Sequence, residues 1–123
     1  MSSGNTNSKQ VQTIAVSVDY GRLSTHLGNC ELFALFDVDT KSEEILYSRE
    51  VEPPSVNPSL LSNWLADKDV DLIITESIEQ SSWKICVEAG MAIMIGPSGE
   101  PPENLIRSYL DGELSVDEKA LND

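Results

Sequence analysis

The fold is decided by one stretch, IAVSVDYGRLSTHLGNCELFALFDVD, which covers residues 14–39. Two apolar runs flank a polar loop at 19–30 that holds His26, the only histidine in the chain, and Cys30. The first run predicts a strand over about Thr13 to Val18, because it is rich in β-branched residues. The second run, Glu31 to Val38, is apolar on both faces and predicts a strand inside the sheet.

The rest of the chain predicts one further hairpin strand and then alternating helices and strands. A charged strand at Ile45–Glu52 is typical of a sheet edge. The elements that follow are a helix starting at Asn57-Pro58, a strand at Val70–Thr75, a helix over about Glu79–Ala89, a strand at Met91–Ile95 and a helix over about Pro101–Leu110. The strand at Met91–Ile95 is the most apolar, and we expect it to be covered on both sides. The order is β-β-β-α-β-α-β-α, an α/β domain.

Helix faces and chain ends complete the predicted domain. The helix at 79–89 places Ser82, Ile85, Cys86 and Ala89 on its inner face, which predicts packing for Cys86. We expect a single domain at 11–114, a disordered tail at 1–10, which is small and polar, and an acidic tail at 115–123.

Composition excludes several partners. The formal charge is −13, from 21 acidic and 8 basic residues, so the chain cannot present a basic stripe to nucleic acid. The same field disfavours anionic lipid surfaces, and no apolar run approaches the roughly 20 residues that span a membrane. The N-terminus lacks the apolar segment of a signal peptide, so we expect a cytoplasmic protein with free thiols at Cys30 and Cys86.

The loop at 19–30 and the turn at 75–79 follow the first and fourth strands, so we expect them at one end of the sheet; we call this end the mouth. Asp19 and Glu76 either bind a divalent cation there or remain solvated or contact Arg22.

His26 and Cys30 are the residue types that bind iron or zinc, but His26 could also brace the loop, and Cys30 could pack in the core. Two ligands alone make an incomplete site. The glycine-containing loop at 96–99 favours a plain turn over an anion site, since its spacing fits no phosphate-binding motif.

Several local motifs, taken in order, resemble a known family. They are Ile14-Ala15-Val16-Ser17, His26-Leu27-Gly28-Asn29-Cys30-Glu31-Leu32-Phe33 followed by Phe36-Asp37-Val38, Val70-Asp71-Leu72-Ile73-Ile74, Glu88-Ala89-Gly90-Met91, and Tyr109-Leu110-Asp111-Gly112-Glu113-Leu114. Together they resemble the dinitrogenase iron-molybdenum cofactor biosynthesis family over about residues 12–114. The element order likewise resembles the ribonuclease H-like fold, which implies three layers and a five-stranded mixed sheet of order 3-2-1-4-5 with strand 2 antiparallel.

The resemblance implies a non-enzymatic carrier for an iron-molybdenum cofactor or an iron-sulfur precursor cluster, working with a cluster donor or acceptor protein. The family motif maps its cluster contact to His26, as ligand or hydrogen-bond donor. Cys30 matches a cysteine of part of the family, as an auxiliary thiolate, and Arg22 would supply a local counter-charge.

Two other functions remain open. An interaction or regulatory module without metal is favoured by residues 52–57 and 75–79, where many family members carry glycine or histidine and this chain carries Glu52, Glu76 and Glu79. Carboxylates at these places repel an anionic cluster. A divalent-metal-dependent hydrolase built on Asp19 and Glu76 is the third possibility, although an enzyme of that kind acting on a polyanion needs cations that this surface lacks.

Overall fold

The computed structural model describes residues 10–24, 30–53, 58–97, 99–114 and 121–122. The elements, in chain order, are β1 (Val11–Asp19), β2 (Arg22–Leu23), β3 (Leu32–Asp39), β4 (Glu44–Val51), α1 (Pro58–Asp67), β5 (Leu72–Thr75), β6 (Ile78–Glu79), α2 (Gln80–Glu88), β7 (Ala92–Ile95), α3 (Pro102–Leu110) and β8 (Leu121–Asn122). The predicted α/β class is confirmed, with three helices in the described ranges.

The main sheet is mixed and has the order β4-β3-β1-β5-β7. β3 runs antiparallel to both of its neighbours, while β5 is parallel to β1 and to β7. The interior position predicted for the strand at 31–38 and the edge position predicted for the charged strand at 45–52 are both confirmed. β2 pairs with β1 off the main path, so the sheet has six strands and not the predicted five.

Helices cover the two faces of the sheet unequally. The core on one face is built by Phe33, Leu35 and Ile73 of the sheet against Leu65 of α1 and Cys86 of α2. The core on the other face packs the strands against a single described helix, α3, through residues such as Ile14, Val16, Phe36, Ile74, Leu105 and Ile106. The alternation of side chains along β1 and β3 produces these two cores, because successive residues of a strand point to opposite faces. We call the two faces the α1/α2 face and the α3 face.

The helix boundaries follow from proline and glycine. α1 starts at Pro58 and α3 at Pro102, where the missing N–H of proline costs no helical hydrogen bond. Gly90, with φ of 92°, and Gly112, with φ of 78°, stop α2 and α3 in the left-handed conformation that glycine adopts without strain. The prediction that Ala89 lies on an inner face is wrong: α2 has ended at Glu88, and Ala89 is exposed.

The strand at 92–95 is the second prediction that the structure corrects. β7 is the other edge of the main sheet, where Ala92 is exposed and Met94 and Ile95 are only half-buried. Ile93, at 2% exposure, is fully covered. An apolar run was therefore not enough to indicate cover on both sides, because the crossover connection placed this strand last in the sheet.

Besides β2, two further short strands were not predicted. β6 lies within the turn at 75–79 and pairs in parallel with β8, so Ile78 aligns with Leu121 and Glu79 with Asn122. Part of the predicted acidic tail is thus a strand, whereas residues 115–120 and the tail at 1–9 lie outside the described residues. Gln10 is described, and its side-chain amide donates to Asp39. In the described chain, no helix is long and apolar enough to cross a membrane.

Candidate functional site

The mouth forms where β1 and β5 end side by side. Their parallel register pairs Val16 with Ile74, and β5 pairs Thr75 with Ile95 of β7. The turns that follow these three strands therefore meet at the same end of the sheet. The loop at 96–100, which follows β7, is joined to β2 by a hydrogen bond of 2.9 Å from the Leu23 N–H to the Glu100 carbonyl. The mouth therefore includes a third segment, residues 96–97 and 99–100, beyond the two that the sequence predicted.

A tight hairpin projects the start of the loop at 19–30 from the sheet. Tyr20 and Gly21 have φ of 53° and 78°, so both residues of the two-residue turn are left-handed, and Asp19 pairs with Arg22 across it. A tyrosine in this conformation is strained, and its side chain is 89% exposed. The hairpin thus presents an aromatic side chain to solvent beside the mouth.

Arg22 is exposed and donates a hydrogen bond of 2.9 Å from Nη1 to the Gly99 carbonyl. This bond ties the hairpin to the loop after β7 and keeps the guanidinium group at the mouth. The role of Arg22 as a counter-charge stays a prediction.

Asp19 braces the neck of the loop. Its Oδ1 accepts the Glu31 N–H at 2.6 Å, and the Glu31 carboxylate in turn accepts the Tyr20 N–H at 3.2 Å. The Glu31 N–H is also shared with the Val18 carbonyl at 3.1 Å. The two ends of the loop are therefore closed by carboxylate-to-backbone hydrogen bonds, a role for Asp19 that was not among the predicted ones.

Cys30 is half-buried and packs against the core on the α1/α2 face. Burial, and secondly the negative charge of Asp19, raises the pKa of the Cys30 thiol from 9.0 to about 12. The free side chain is consequently a protonated thiol at neutral pH. A metal would have to displace that proton for Cys30 to act as the predicted thiolate.

Glu76 follows β5 and carries a buried carboxylate oxygen, Oε1, that has no hydrogen-bond partner among the described residues. The strand register brings Asp19 and Glu76 to the same end of the sheet, as predicted. However, the described residues contain no group of three or more His, Cys, Asp or Glu side chains that could hold a metal ion. The described residues therefore supply no further ligands beside Asp19 and Glu76, and the hydrolase function stays a prediction.

Two buried hydroxyl groups meet near the ends of β1 and β5, beneath the mouth, and the sequence did not predict this contact. Ser17 donates to Thr75 Oγ1 at 3.1 Å, and the Thr75 hydroxyl donates to the Ser77 carbonyl at 3.1 Å. Both Ser17 and Thr75 are completely buried. A hydroxyl residue near the end of each of two apolar strands was the available signal, but only the register shows that the two side chains meet.

Cys86 is a core residue, as predicted. It is fully buried on the inner face of α2, and its Sγ donates to Ser62 Oγ at 3.2 Å. Cys30 and Cys86 are both free thiols, which agrees with the prediction that they do not pair. His26, the main predicted cluster contact, lies outside the described residues, so its position relative to Cys30 and Arg22 stays a prediction.

Comparison with known sequences decides the family. The profile of a family described as dinitrogenase iron-molybdenum cofactor matches residues 11–112. The chain belongs to this family. The resemblance inferred from the sequence motifs is therefore confirmed, while a search of curated proteins finds no match.

Solved structures of other proteins share the fold of this chain. A putative dinitrogenase from Methanocaldococcus jannaschii is 17% identical, with a TM-score of 0.74 over 90% of this chain and 98% of that one. The apo form of the orange protein from Desulfovibrio gigas is 16% identical, with a TM-score of 0.72 over 90% and 97%. A putative NifB protein from Thermotoga is 18% identical, with a TM-score of 0.65 over 87% and 98%. At these identities the likeness shows the fold.

Proposed function

We propose that this domain is a non-enzymatic carrier that binds an iron-molybdenum or iron-sulfur cluster at the mouth and passes it to or from a partner protein. The supporting observation is membership of the dinitrogenase iron-molybdenum cofactor family over residues 11–112. The ribonuclease H-like label and a cytoplasmic location belong to the same proposal. Two free thiols suit a reducing compartment.

The described residues alone do not supply a metal site. They contain no set of three metal ligands, so the proposal depends on His26, whose role is taken from the family motif. Arg22 is the cation nearest in sequence to His26, and its bond to Gly99 fixes it at the mouth. In a chain with a charge of −13, an anionic cluster needs such a local cation to offset the repulsion of the whole molecule.

Anaerobic reconstitution tests the carrier. The purified domain is incubated with iron, sulfide and molybdate, desalted, and examined for visible charge-transfer absorption and bound metal. The carrier predicts a coloured protein whose absorption is lost in His26→Ala and weakened in Cys30→Ser. Cys86→Ser is the matched thiol control, because Cys86 lies in the core on the inner face of α2, and it should retain the colour. Circular dichroism checks that each variant is folded.

A metal-free interaction module is the second candidate, and Glu76 favours it. The unpaired, buried carboxylate oxygen of Glu76 stands at the mouth, where a negative charge repels an anionic cluster. A wild-type protein that stays colourless and metal-free after reconstitution would support the module and contradict the carrier. A coloured protein that is unaffected by His26→Ala would instead contradict the proposed ligand.

A further inference from the structure

A groove lies on the α3 face beside the mouth, and Gly21 of the β1–β2 hairpin belongs to its lining. Its volume is about 390 Å³, and its floor includes Val18, Ala34 and Phe36. Pro102 and Glu103 at the start of α3 form one wall, and Glu50 of β4 lies on the opposite side. An apolar floor with charged walls is typical of a site that binds another molecule.

The groove results from incomplete cover of the sheet. The apolar side chains of α3, Leu105 and Ile106, pack in the core with Ile14 and Ile74 of the central strands. α3 is the only described helix on that face, and the outermost strand, β4, has a mostly exposed surface. Space therefore remains between the start of α3 and the β3–β4 hairpin, and it opens towards the sheet edge.

That edge is available for pairing. β4 is the last strand of the sheet and pairs only with β3 among the described strands, which leaves its outer backbone groups without a strand partner. A register shift between Asp37 and Val38 interrupts the lower half of the hairpin, but residues 47–51 pair regularly with 33–37. Regular geometry beside the groove makes 47–51 the segment best suited to accept another strand.

The two faces of this segment differ in chemistry. Glu50 aligns with Ala34 and points to the α3 face, near Glu103 across the groove. Val51 aligns with Phe33 and packs on the α1/α2 face, and Tyr47, four residues earlier, lies on that same face with 58% exposure. An added strand would consequently meet carboxylates on one face. On the other face it would meet Tyr47 and Val51, with Arg49 between them beside Asp37 and the Tyr47 ring.

The carboxylates at the groove determine which kind of strand can bind there. Within the described ranges, neither Glu50 nor Glu103 takes part in a hydrogen bond or an ion pair, whereas Arg49 is 3.9 Å from Asp37 and lies 5.7 Å from the ring centre of Tyr47. A second copy of this chain would bring the same carboxylates and another charge of −13 to the edge. Like charges across paired strands are destabilising, so a basic strand fits and a second copy does not.

We propose that the outer edge of β4 at 47–51 binds an extended segment of a partner protein in which basic and apolar residues alternate. The basic side chains lie towards Glu50 and Glu103 at the groove, and the apolar side chains lie towards Tyr47 and Val51. Backbone hydrogen bonds to β4 supply the pairing, and the alternation sets the register. This surface is separate from cluster binding and does not require it.

A model peptide tests the surface directly. The probe is a fluorescein-labelled decapeptide of alternating lysine and valine, capped at both ends, titrated with the full chain at an ionic strength of about 0.15 M. Fluorescence anisotropy should show saturable binding. The corresponding glutamate-valine peptide should not bind. A lysine-valine peptide with N-methyl groups on alternate residues, which blocks strand pairing at constant charge, should bind about tenfold more weakly.

Two double variants distinguish binding at this surface from attraction by the net charge of the whole protein. Glu50→Lys with Glu103→Lys should weaken peptide binding about tenfold. Asp67→Lys with Glu88→Lys makes the same charge change at exposed positions of α1 and α2, on the opposite layer, and should change affinity less than twofold. Equal losses in the two pairs, equal binding of the N-methylated peptide, absence of binding, or a concentration-dependent dimer in sedimentation would each overturn the proposal.

Discussion

At the scale of single residues, the mouth is governed by carboxylates that act on their neighbours. Asp19 holds the Glu31 N–H at 2.6 Å and so closes the loop, and its charge also contributes to the raised pKa of Cys30. The same side chain therefore shapes the loop and adds to the effect of burial, the larger cause, in raising the pKa of the adjacent thiol. Sequence could place Asp19 at the end of a strand, but it could not show which N–H group the carboxylate accepts.

The Cys30 thiol should consequently react slowly. Alkylation requires the thiolate, so a pKa of about 12 in place of 9.0 should make the reaction at pH 8 roughly a hundred- to a thousandfold slower than that of an unperturbed thiol. Asp19→Asn removes a negative charge while keeping an oxygen acceptor, so the pKa of Cys30 should fall and the reaction should accelerate. Burial, the larger cause, remains, so the pKa should stay above 9.0.

The measurement is the rate of iodoacetamide labelling against pH, in a Cys86→Ser background that leaves one thiol. Asp71→Asn is a control carboxylate change, because Asp71 accepts the Thr13 N–H at the other end of β1 and β5. An unchanged labelling profile in Asp19→Asn would contradict the electrostatic link between Asp19 and Cys30.

At the scale of elements, one glycine fixes the approach of α3 and β2 to the sheet at the mouth. A Cβ atom added at Gly96 would lie 2.9 Å from Leu105 Cδ2, 3.2 Å from Leu23 Cδ2 and 3.3 Å from Ile74 Cγ2. Helix, hairpin and central strand therefore converge on a position that has no side chain. The loop at 96–99 was predicted as a plain turn, and its first glycine proves to be a packing position as well.

Gly96→Ala should accordingly destabilise the domain by about 1–3 kcal/mol, the usual cost of overpacking. Leu105→Val shortens the side chain that makes the closest contact and should itself cost about 1 kcal/mol. The double variant should lose less stability than the sum of the two single losses, because Leu105→Val relieves the crowding that Gly96→Ala introduces. Urea unfolding of the four proteins measures this coupling, and strictly additive losses would contradict the proposed contact.

At the scale of the whole molecule, sequence patterns predicted what local chemistry determines. The apolar runs at β1 and β3, the charged edge strand β4 and the proline-led starts of α1 and α3 were all found, because each depends on nearby residues. The family was likewise found from short motifs in the right order.

Features that depend on distant parts of the chain were missed. β7 was expected to be covered on both sides because of its apolar composition, but Ala92 is exposed and Met94 and Ile95 are only half-buried. The pairing of β6 with β8, the hydrogen bond between Ser17 and Thr75, and the groove at the start of α3 join residues more than 40 positions apart. No periodicity within a single segment carries that information.

The central claim is that the cluster binds at the mouth, and nuclear magnetic resonance of the ¹⁵N-labelled domain tests it most directly. Amide spectra are compared between the metal-free protein and the protein after anaerobic reconstitution. The carrier predicts shifted or broadened amides at 19–24, 30–31, 76–77 and 99–100, with those at 34–36 and 48–50 unchanged. Changes confined to the groove or to α1, with the mouth unaffected, would contradict the claim.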